Sequence, residues 1–303
     1  MTVRARDCEC GCGGTTRGGR FIPGHDAKLK SRLLKDMANG DTAAMEELER
    51  RGWLGIDNRQ FGIEIEFFGC TPQDLIDQMA ARGLMCSYRG YTHQIMTSWK
   101  IVTDASVTST DTGVGRGLEL VSPILKGKNG RDQLKAACEA LAAAGARVDK
   151  SCGIHVHHDA NDMKLEQIKR AVRIYKDSQQ VINQFVPKSR RDGNEYCRAW
   201  SEYDIAKLEQ ASDLRQISNL VDRYRTINLN SYGKYGTIEI RQHGGSTEYH
   251  KIINWVVFGQ ALIAAAKLNK TVDSTSVNGL LKSLKLTENQ RQYLRDRAQR
   301  LAA

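Results

Sequence analysis

Four short stretches of the chain carry ionisable side chains set between apolar neighbours. Glu64 and Glu66 alternate with Ile63, Ile65 and Phe67; Glu119 sits between Leu118 and Leu120; His155 and His157 flank Val156; Glu239 and Arg241 flank Ile240. Residues i and i+2 of a strand point to the same face, so each pair projects together while the apolar partners pack behind it. If the four strands share one sheet, a single face gathers three or four carboxylates and two imidazoles. Like charges side by side on a sheet repel, and a divalent cation is what makes such a cluster tolerable. Oxygen-rich ligation points to Mg²⁺, and the added imidazole keeps Mn²⁺ open. The bland alternative is a half-exposed sheet with one solvated face. Such faces favour Thr, Lys and Arg at least as often as Glu, whereas Glu and His dominate here.

A second constellation lies near the start. Cys8, Cys10 and Cys12 alternate in a glycine-rich stretch, followed by Pro23-Gly24-His25-Asp26. Three thiols and one imidazole satisfy the four-ligand requirement of a structural zinc, and a short glycine-rich segment has no core without such a staple. Cys-x-Cys-x-Cys is tighter than the usual zinc spacing; the alternative is a flexible, reduced tail.

The elements that must position these groups follow from periodicity. Helices are expected over Ala27 to Met37 and Thr42 to Arg51, stopped between them by Asn39-Gly40, with a connector over Gly55 to Gln60. Strands are expected over Phe61 to Phe68, Ser98 to Thr103, Gly117 to Ser122 and Cys152 to His158. Thr71-Pro72 opens a helix with Leu75, Ile76 and Met79 on one face, and Arg131 to Ala144 forms another, stopped by Gly145. A long helix is predicted from Leu165 to about Val186, ended by Pro187. Thr226 to Asn230 and Thr237 to Gln242 read as strands joined by a hairpin across Tyr232 to Gly236, followed by a buried helix, Tyr249 to Ala266. Thr287 and Gln290 have capping-box spacing at the start of a last helix. The expected class is α+β on a mainly antiparallel sheet, with a Cys-rich and helical module over residues 1–55 and a main domain with a C-terminal helical extension over 56–303.

Composition narrows the partners. Of 303 residues, 40% are hydrophobic and 26% charged, which fits a globular chain. The longest apolar run, Trp255 to Ala266, is broken by Gly259 and Gln260 and falls short of the roughly 20 residues a membrane span needs. Met1 to Glu9 shows no apolar stretch behind Arg4 and Arg6, so no secretory signal is expected and the cytoplasm is the expected compartment. There, eight cysteines are expected to be thiols or metal ligands. A net charge of +10 leaves nucleic acid open as a partner, although the basic residues are spread along the chain and would equally attract a small anion.

Six ordered motifs carry a family likeness: Gly62-Ile-Glu-Ile-Glu66, Trp99-Lys-Ile-Val-Thr-Asp104-Ala-Ser106, Glu119-Leu-Val-Ser-Pro123, Cys152-Gly-Ile-His-Val-His157, Arg223-Tyr224 through Asn228-Leu-Asn230, and Thr237-Ile-Glu-Ile-Arg241. Together they resemble the amidoligases, carboxylate-amine ligases that share the glutamine synthetase fold, over about residues 60–265. The first part of the chain resembles a short cysteine-rich module of phage and bacterial proteins. The amidoligase resemblance implies ATP and two or three divalent metals in a funnel. It implies that Glu64, His155 and Glu239 hold metal on the ATP side, that Glu66 and Glu119 hold a second metal near the acceptor, and that His157 lies by the phosphates. Arg241 would contact the reacting carboxylate or the transferring phosphoryl group, and Asp104 would position or deprotonate the amine. Arg223 would reach the nucleotide, and Arg190 or Arg191 would reach it or close over the site; their segment also reads as a solvent-facing basic loop. Asp104 also reads as an ordinary turn-capping residue before Ser106.

The chemistry implied is activation of a carboxylate as an acyl phosphate and its capture by an amine. Its substrates would be small molecules, a peptide or a modified nucleobase, in a monomer or an oligomer. Three other readings compete. A guanidino kinase-like enzyme of the same fold would stop at phosphoryl transfer, a metallohydrolase on the histidine pair would need no ATP, and a zinc-stapled nucleic-acid- or protein-binding module would carry an inactive scaffold.

Overall fold

The computed structural model describes residues 5–38, 41, 43, 44, 47, 51, 59–108, 117–191, 193–284 and 286–302. The chain divides into two units, Met1–Asn58 and Arg59–Ala303.

In the first unit, β1 (Ala5–Asp7) and β2 (Thr15–Arg17) form an antiparallel pair, followed by α1 (His25–Ala38). The glycine-rich stretch is therefore a structured hairpin loop, in which Gly11 and Gly13 take positive φ angles of 78° and 74°. Leu29 and Leu33 of α1 pack with Cys8, Cys10 and Ala44, and Phe21 and Ile22 lean on the same cluster. Most of the helix expected over 42–51 and of the connector over 55–60 lies outside the described residues; the Arg51 N–H does donate to the Glu47 carbonyl at 3.0 Å, a helical spacing.

The second unit is a seven-stranded sheet, mainly antiparallel, flanked by helices. Its strands are β3 (Phe61–Phe67), β4 (Cys86–Tyr88), β5 (Trp99–Thr103), β6 (Leu118–Val121), β7 (Gly153–Asp159), β8 (Ile227–Asn228) and β9 (Thr237–Gly244). They lie in the order β4-β5-β6-β3-β7-β9-β8, antiparallel except for the β4–β5 pair. The helices longer than a single turn are α2 (Pro72–Ala80), α3 (Gly127–Ala143), α4 (Leu165–Asp177), α5 (Glu202–Gln210), α6 (Asn230–Tyr235), α7 (Tyr249–Lys267), α8 (Val277–Ser283) and α9 (Glu288–Ala302). Ile63, Ile65, Ile154, Val156, Ile238 and Ile240 are all buried. They form the apolar side of the alternating strands, and their burial leaves the opposite side for polar groups. Gly259 lets α7 approach that apolar side closely, since a Cβ there would lie 2.3 Å from His158 Nε2 and 2.9 Å from Ile240 Cδ1.

Two sequence expectations are corrected, and one strand went unforeseen. The long helix ends at Asp177, and a single turn (Gln179–Ile182) and a 3₁₀ turn (Asn183–Phe185) continue the path. The break follows from Gln179 and Asn183, which turn inward to hydrogen-bond Gln242 of β9 at 2.9 and 2.7 Å, and no amphipathic stripe accommodates them. The hairpin across Tyr232 to Gly236 is instead helix α6, closed by Gly236 in the left-handed region at φ 66°. The unforeseen strand is β4, a half-exposed run of Cys, Ser and Tyr whose alternation is too short to register. The capping box at Thr287 and Gln290 is formed, with reciprocal bonds of 3.0 and 3.4 Å. All eight cysteines are free. Among the described residues, no helix is long and apolar enough to cross a membrane.

Candidate active site

The register of four central strands assembles the polar face. Glu66 of β3 stands opposite Glu119 of β6, and Glu64 opposite His155 of β7. His157 in turn stands opposite Glu239 of β9, which also pairs with Asn228 of β8. A bulge in the β7–β9 pairing falls between Ile154 and Val156. It leaves Arg241 beside Glu239 on the polar side while Gln242 and His243 both turn toward the helices. Groups from residues 64 to 241 thus meet because the strands' alternation is in phase.

His155 lies at the centre, with Nδ1 3.0 Å from Glu64, 3.9 Å from Glu119 and 3.8 Å from Glu239. Its Nε2 is buried 3.4 Å from a Glu66 oxygen and has no hydrogen-bond partner. Glu66 is itself fixed by the Gly153 N–H at 2.5 Å. His157 Nε2 lies 3.3 Å from Glu64 and 3.9 Å from Glu239, while its Nδ1 meets the Thr237 hydroxyl at 3.0 Å. Glu239 accepts from Asn228 Nδ2 at 2.5 Å and is ion-paired with Arg241.

Opposing effects set the charges. Burial pushes Glu64 up, but His157 and His155 outweigh it and hold the carboxyl well below its usual range. Burial likewise raises Glu239, and Arg241 and His157 bring it down overall. Glu119 goes the other way: burial, reinforced by Glu64, Glu66 and Asp104, raises it well above the carboxylate range. Burial works against charge on His157, yet Glu239 and Glu64 raise it. Glu119 therefore marks where negative charge exceeds what the chain's own cations offset.

Around this centre opens a cleft of about 840 Å³, lined among others by Asp104, Arg190, Arg223, Tyr224, Asn228 and Arg241. That is within the size range of small-molecule sites. A smaller recess of about 170 Å³ adjoins it through shared Glu64, Glu119 and His157, and adds Phe61, Ile95 and Met96 as apolar walls. The Arg241 guanidinium is anchored by Glu239 and by the Tyr196 carbonyl at 3.2 Å, and Arg223 lies over the Tyr224 ring at 5.0 Å.

The predicted residues differ in how they sit. Asp104 accepts from the Ser106 N–H at 2.7 Å and hydroxyl at 2.6 Å, so it caps its turn, and it also lies close to Glu66 and Glu119. Arg190 is 2% exposed and donates to the Arg241 carbonyl at 2.7 Å, bracing that strand from beneath the cleft. Arg191 is not among the cleft's lining residues; it bonds the carbonyls of Val186 at 3.0 Å and Leu301 at 3.5 Å.

Two residues escaped sequence reasoning as individuals. Lys100 is buried on the polar side of β5 and donates to the carbonyls of Thr92 and Gln94 at 3.3 and 2.6 Å, tying down the loop at the cleft's rim. Its place opposite Val121, which pairs with Glu64, could have been read only with the strand order in hand. Tyr235, at the end of α6, lines both cavities and reaches the His93 carbonyl at 3.2 Å.

Among the described residues of the second unit, three sets of donors lie within 4.8 Å of one another and could hold a cation: Glu64, Glu119 and His155; Glu64, His157 and Glu239; and Glu66, Asp104 and Glu119. A fourth, Cys8, Cys10, Cys12 and His25, belongs to the first unit. In comparisons with known proteins, a family model described as "Putative amidoligase enzyme" matches residues 57–263. No curated protein matches the chain.

Proposed function

We propose, from the premise that this chain belongs to the amidoligase family, that it is an ATP- and divalent-metal-dependent ligase. It would join a carboxylate to an amine through an acyl phosphate on a glutamine synthetase-like scaffold. The observation that carries this reading is the meeting of Glu64, Glu66, Glu119, Glu239, His155 and His157 in one cleft.

The donors suit hard cations. Carboxylate oxygens dominate, His155 Nε2 is buried without a hydrogen-bond partner, and Glu119 sits in excess negative charge. Glu64, His157 and Glu239 would hold one Mg²⁺ or Mn²⁺, and Glu66 and Glu119, with His155 Nε2 beside Glu66, a second. Once bound, such cations neutralise phosphate oxygens. In this reading His157 is a metal ligand, where the family resemblance alone had set it beside the phosphates.

The rest falls to the chain's own groups. An anionic carboxylate resists attack by an amine. A carboxylate oxygen would first attack the γ-phosphorus of ATP, releasing ADP. The neutral amine would then attack the acyl carbon, expelling phosphate and leaving an amide. Arg241, held rigid by its two partners, offers its remaining N–H groups as a fork to a planar carboxylate or to the phosphoryl oxygens. Arg223, at the cleft wall, is available to the nucleotide. Asp104 would take the amine's proton, since it lies in the cleft beside the second donor set. Positioning and charge neutralisation dominate such phosphoryl transfer, which accords with the lack of an activated nucleophile among the site's described residues. Cys152 and Cys197 fit that picture, because burial raises both thiols.

The test is ADP release screened over carboxylates and amines with Mg²⁺ or Mn²⁺, with mass spectrometry of the product. A new amide with free phosphate is the expected outcome. A phosphorylated amine without free phosphate would make the enzyme a phosphotransferase, and turnover without ATP a hydrolase. Glu64→Gln and Glu239→Gln should each lower ADP release at least about 10²-fold, in the range for losing a key electrostatic group. Wild-type rates in either variant would overturn the assignment.

A further inference from the structure

We propose that the first unit is organised around one structural zinc ion bound by Cys8, Cys10, Cys12 and His25, a site independent of the ligase reading. The four donors come from three places: Cys8 and Cys10 follow β1, Cys12 lies in the loop before β2, and His25 opens α1. Their ligand atoms all fall within 4.8 Å of one another. Cys8 Sγ is 3.3 Å from Cys10 Sγ and 3.8 Å from His25 Nδ1, and Cys10 Sγ is 3.2 Å from that same nitrogen. Ligands at about 2.3 Å for sulfur and about 2.0 Å for nitrogen around a tetrahedral centre are separated by distances of this order.

Three further features point the same way. The Ile22 N–H donates to Cys8 Sγ at 3.4 Å, an interaction that steadies a thiolate. Gly11 and Gly13, both at positive φ with open space where a Cβ would be, fold the loop so that the alternate cysteines, which an extended strand would space roughly 7 Å apart along one face, converge on one point. The described apolar cluster is also small: Leu29, Leu33 and Ala44 with the two buried cysteines, covered by Phe21 and Ile22. In so short a unit, metal binding would add to the free energy of folding that apolar burial supplies.

The donor set also selects the metal. Three sulfurs and one imidazole are soft to borderline ligands, matched to Zn²⁺ and poorly matched to the Mg²⁺ or Mn²⁺ proposed for the carboxylate cleft. Four protein ligands complete a tetrahedron and leave no position for water, so the ion's role is to tie the hairpin to the helix.

The experiment measures metal content of the full-length chain after exhaustive dialysis, alongside the visible and near-ultraviolet spectrum after cobalt replacement. One zinc per chain is expected, with the d–d and thiolate-to-cobalt charge-transfer bands of a tetrahedral, thiolate-rich centre. Glu64→Gln and Glu239→Gln should keep the zinc, Cys8→Ser and Cys10→Ser should lose it, and His25→Cys should retain it with a stronger charge-transfer band. Absence of zinc from wild-type protein prepared with zinc, an octahedral cobalt spectrum, or full zinc retention in both serine variants would each overturn the proposal. Loss of zinc on replacing Glu64 or Glu239, with the cysteines intact, would do so too.

Discussion

Arg241 shows how one side chain can be both held and available. Its partner Glu239 is 3% exposed, so the ion pair is desolvated and its geometry fixed by packing. Against the burial that opposes it, Glu239 and Glu64 hold the guanidinium firmly in its charged form. Lysine would keep the charge but lose the planar fork and the bond to the Tyr196 carbonyl. Arg241→Lys is therefore expected to lower kcat for ADP release about 10²-fold, with a smaller change in KM. Steady-state kinetics at saturating ATP would check this, and a loss under about threefold would separate Arg241 from the reacting groups. The alternation of charged and apolar residues made this site legible, because pleat and periodicity are local. Arg191 was not legible: two adjacent arginines in a polar loop look equivalent until the fold directs one under β9 and the other to the carbonyls of Val186 and Leu301.

At the scale of elements, the same sequence signals worked where a single face decided burial and failed where polar groups had to be buried. Strand β3 alternates cleanly, and β7 and β9 do so as far as His157 and Arg241. The helix expected through Val186 breaks because Tyr175, Gln179 and Asn183 form a hydrogen-bonded cluster on Gln242, behind the cleft, and no one-dimensional pattern announces a long-range partner. Helix α7 carries the reverse lesson. Gly259 read as an interruption of an apolar run, yet it is the point of closest approach to β7 and β9. Gly259→Ala would force His158 and Ile240 aside in a packed interior, and the expected cost is about 1–3 kcal/mol despite alanine's better helix propensity. Urea unfolding of the variant should show a lower midpoint with an unchanged slope; an unchanged or raised midpoint would mean that α7 has slack against the sheet.

For the molecule as a whole, acid response follows from what is buried uncharged. His243 is 2% exposed on β9. Burial, aided by Arg297, depresses it to about 3. Its value in the unfolded chain is about 6.5. Between those two values the unfolded state binds a proton that the folded state refuses, so stability is complete above about pH 6.5 and falls as the pH drops toward 3. The limiting slope is about 1.4 kcal/mol per pH unit for this one group. His243→Gln should flatten the stability profile between pH 6 and 4 by up to that amount, as measured by urea midpoints across the range. An identical slope in the variant would show that other groups dominate.

The irregularity between β7 and β9 has its own bearing on how such a sheet could change over time. A single inserted residue acts like a shift of reading frame: before it, Glu239 and Arg241 point to the chemistry, and after it two consecutive side chains face the helices. A one-residue deletion there would restore strict alternation with His243 still on the helix side, but only by taking Arg241 from the cleft or Gln242 from its polar partners. Lineages should thus tolerate substitutions along this strand far more readily than any gain or loss of length.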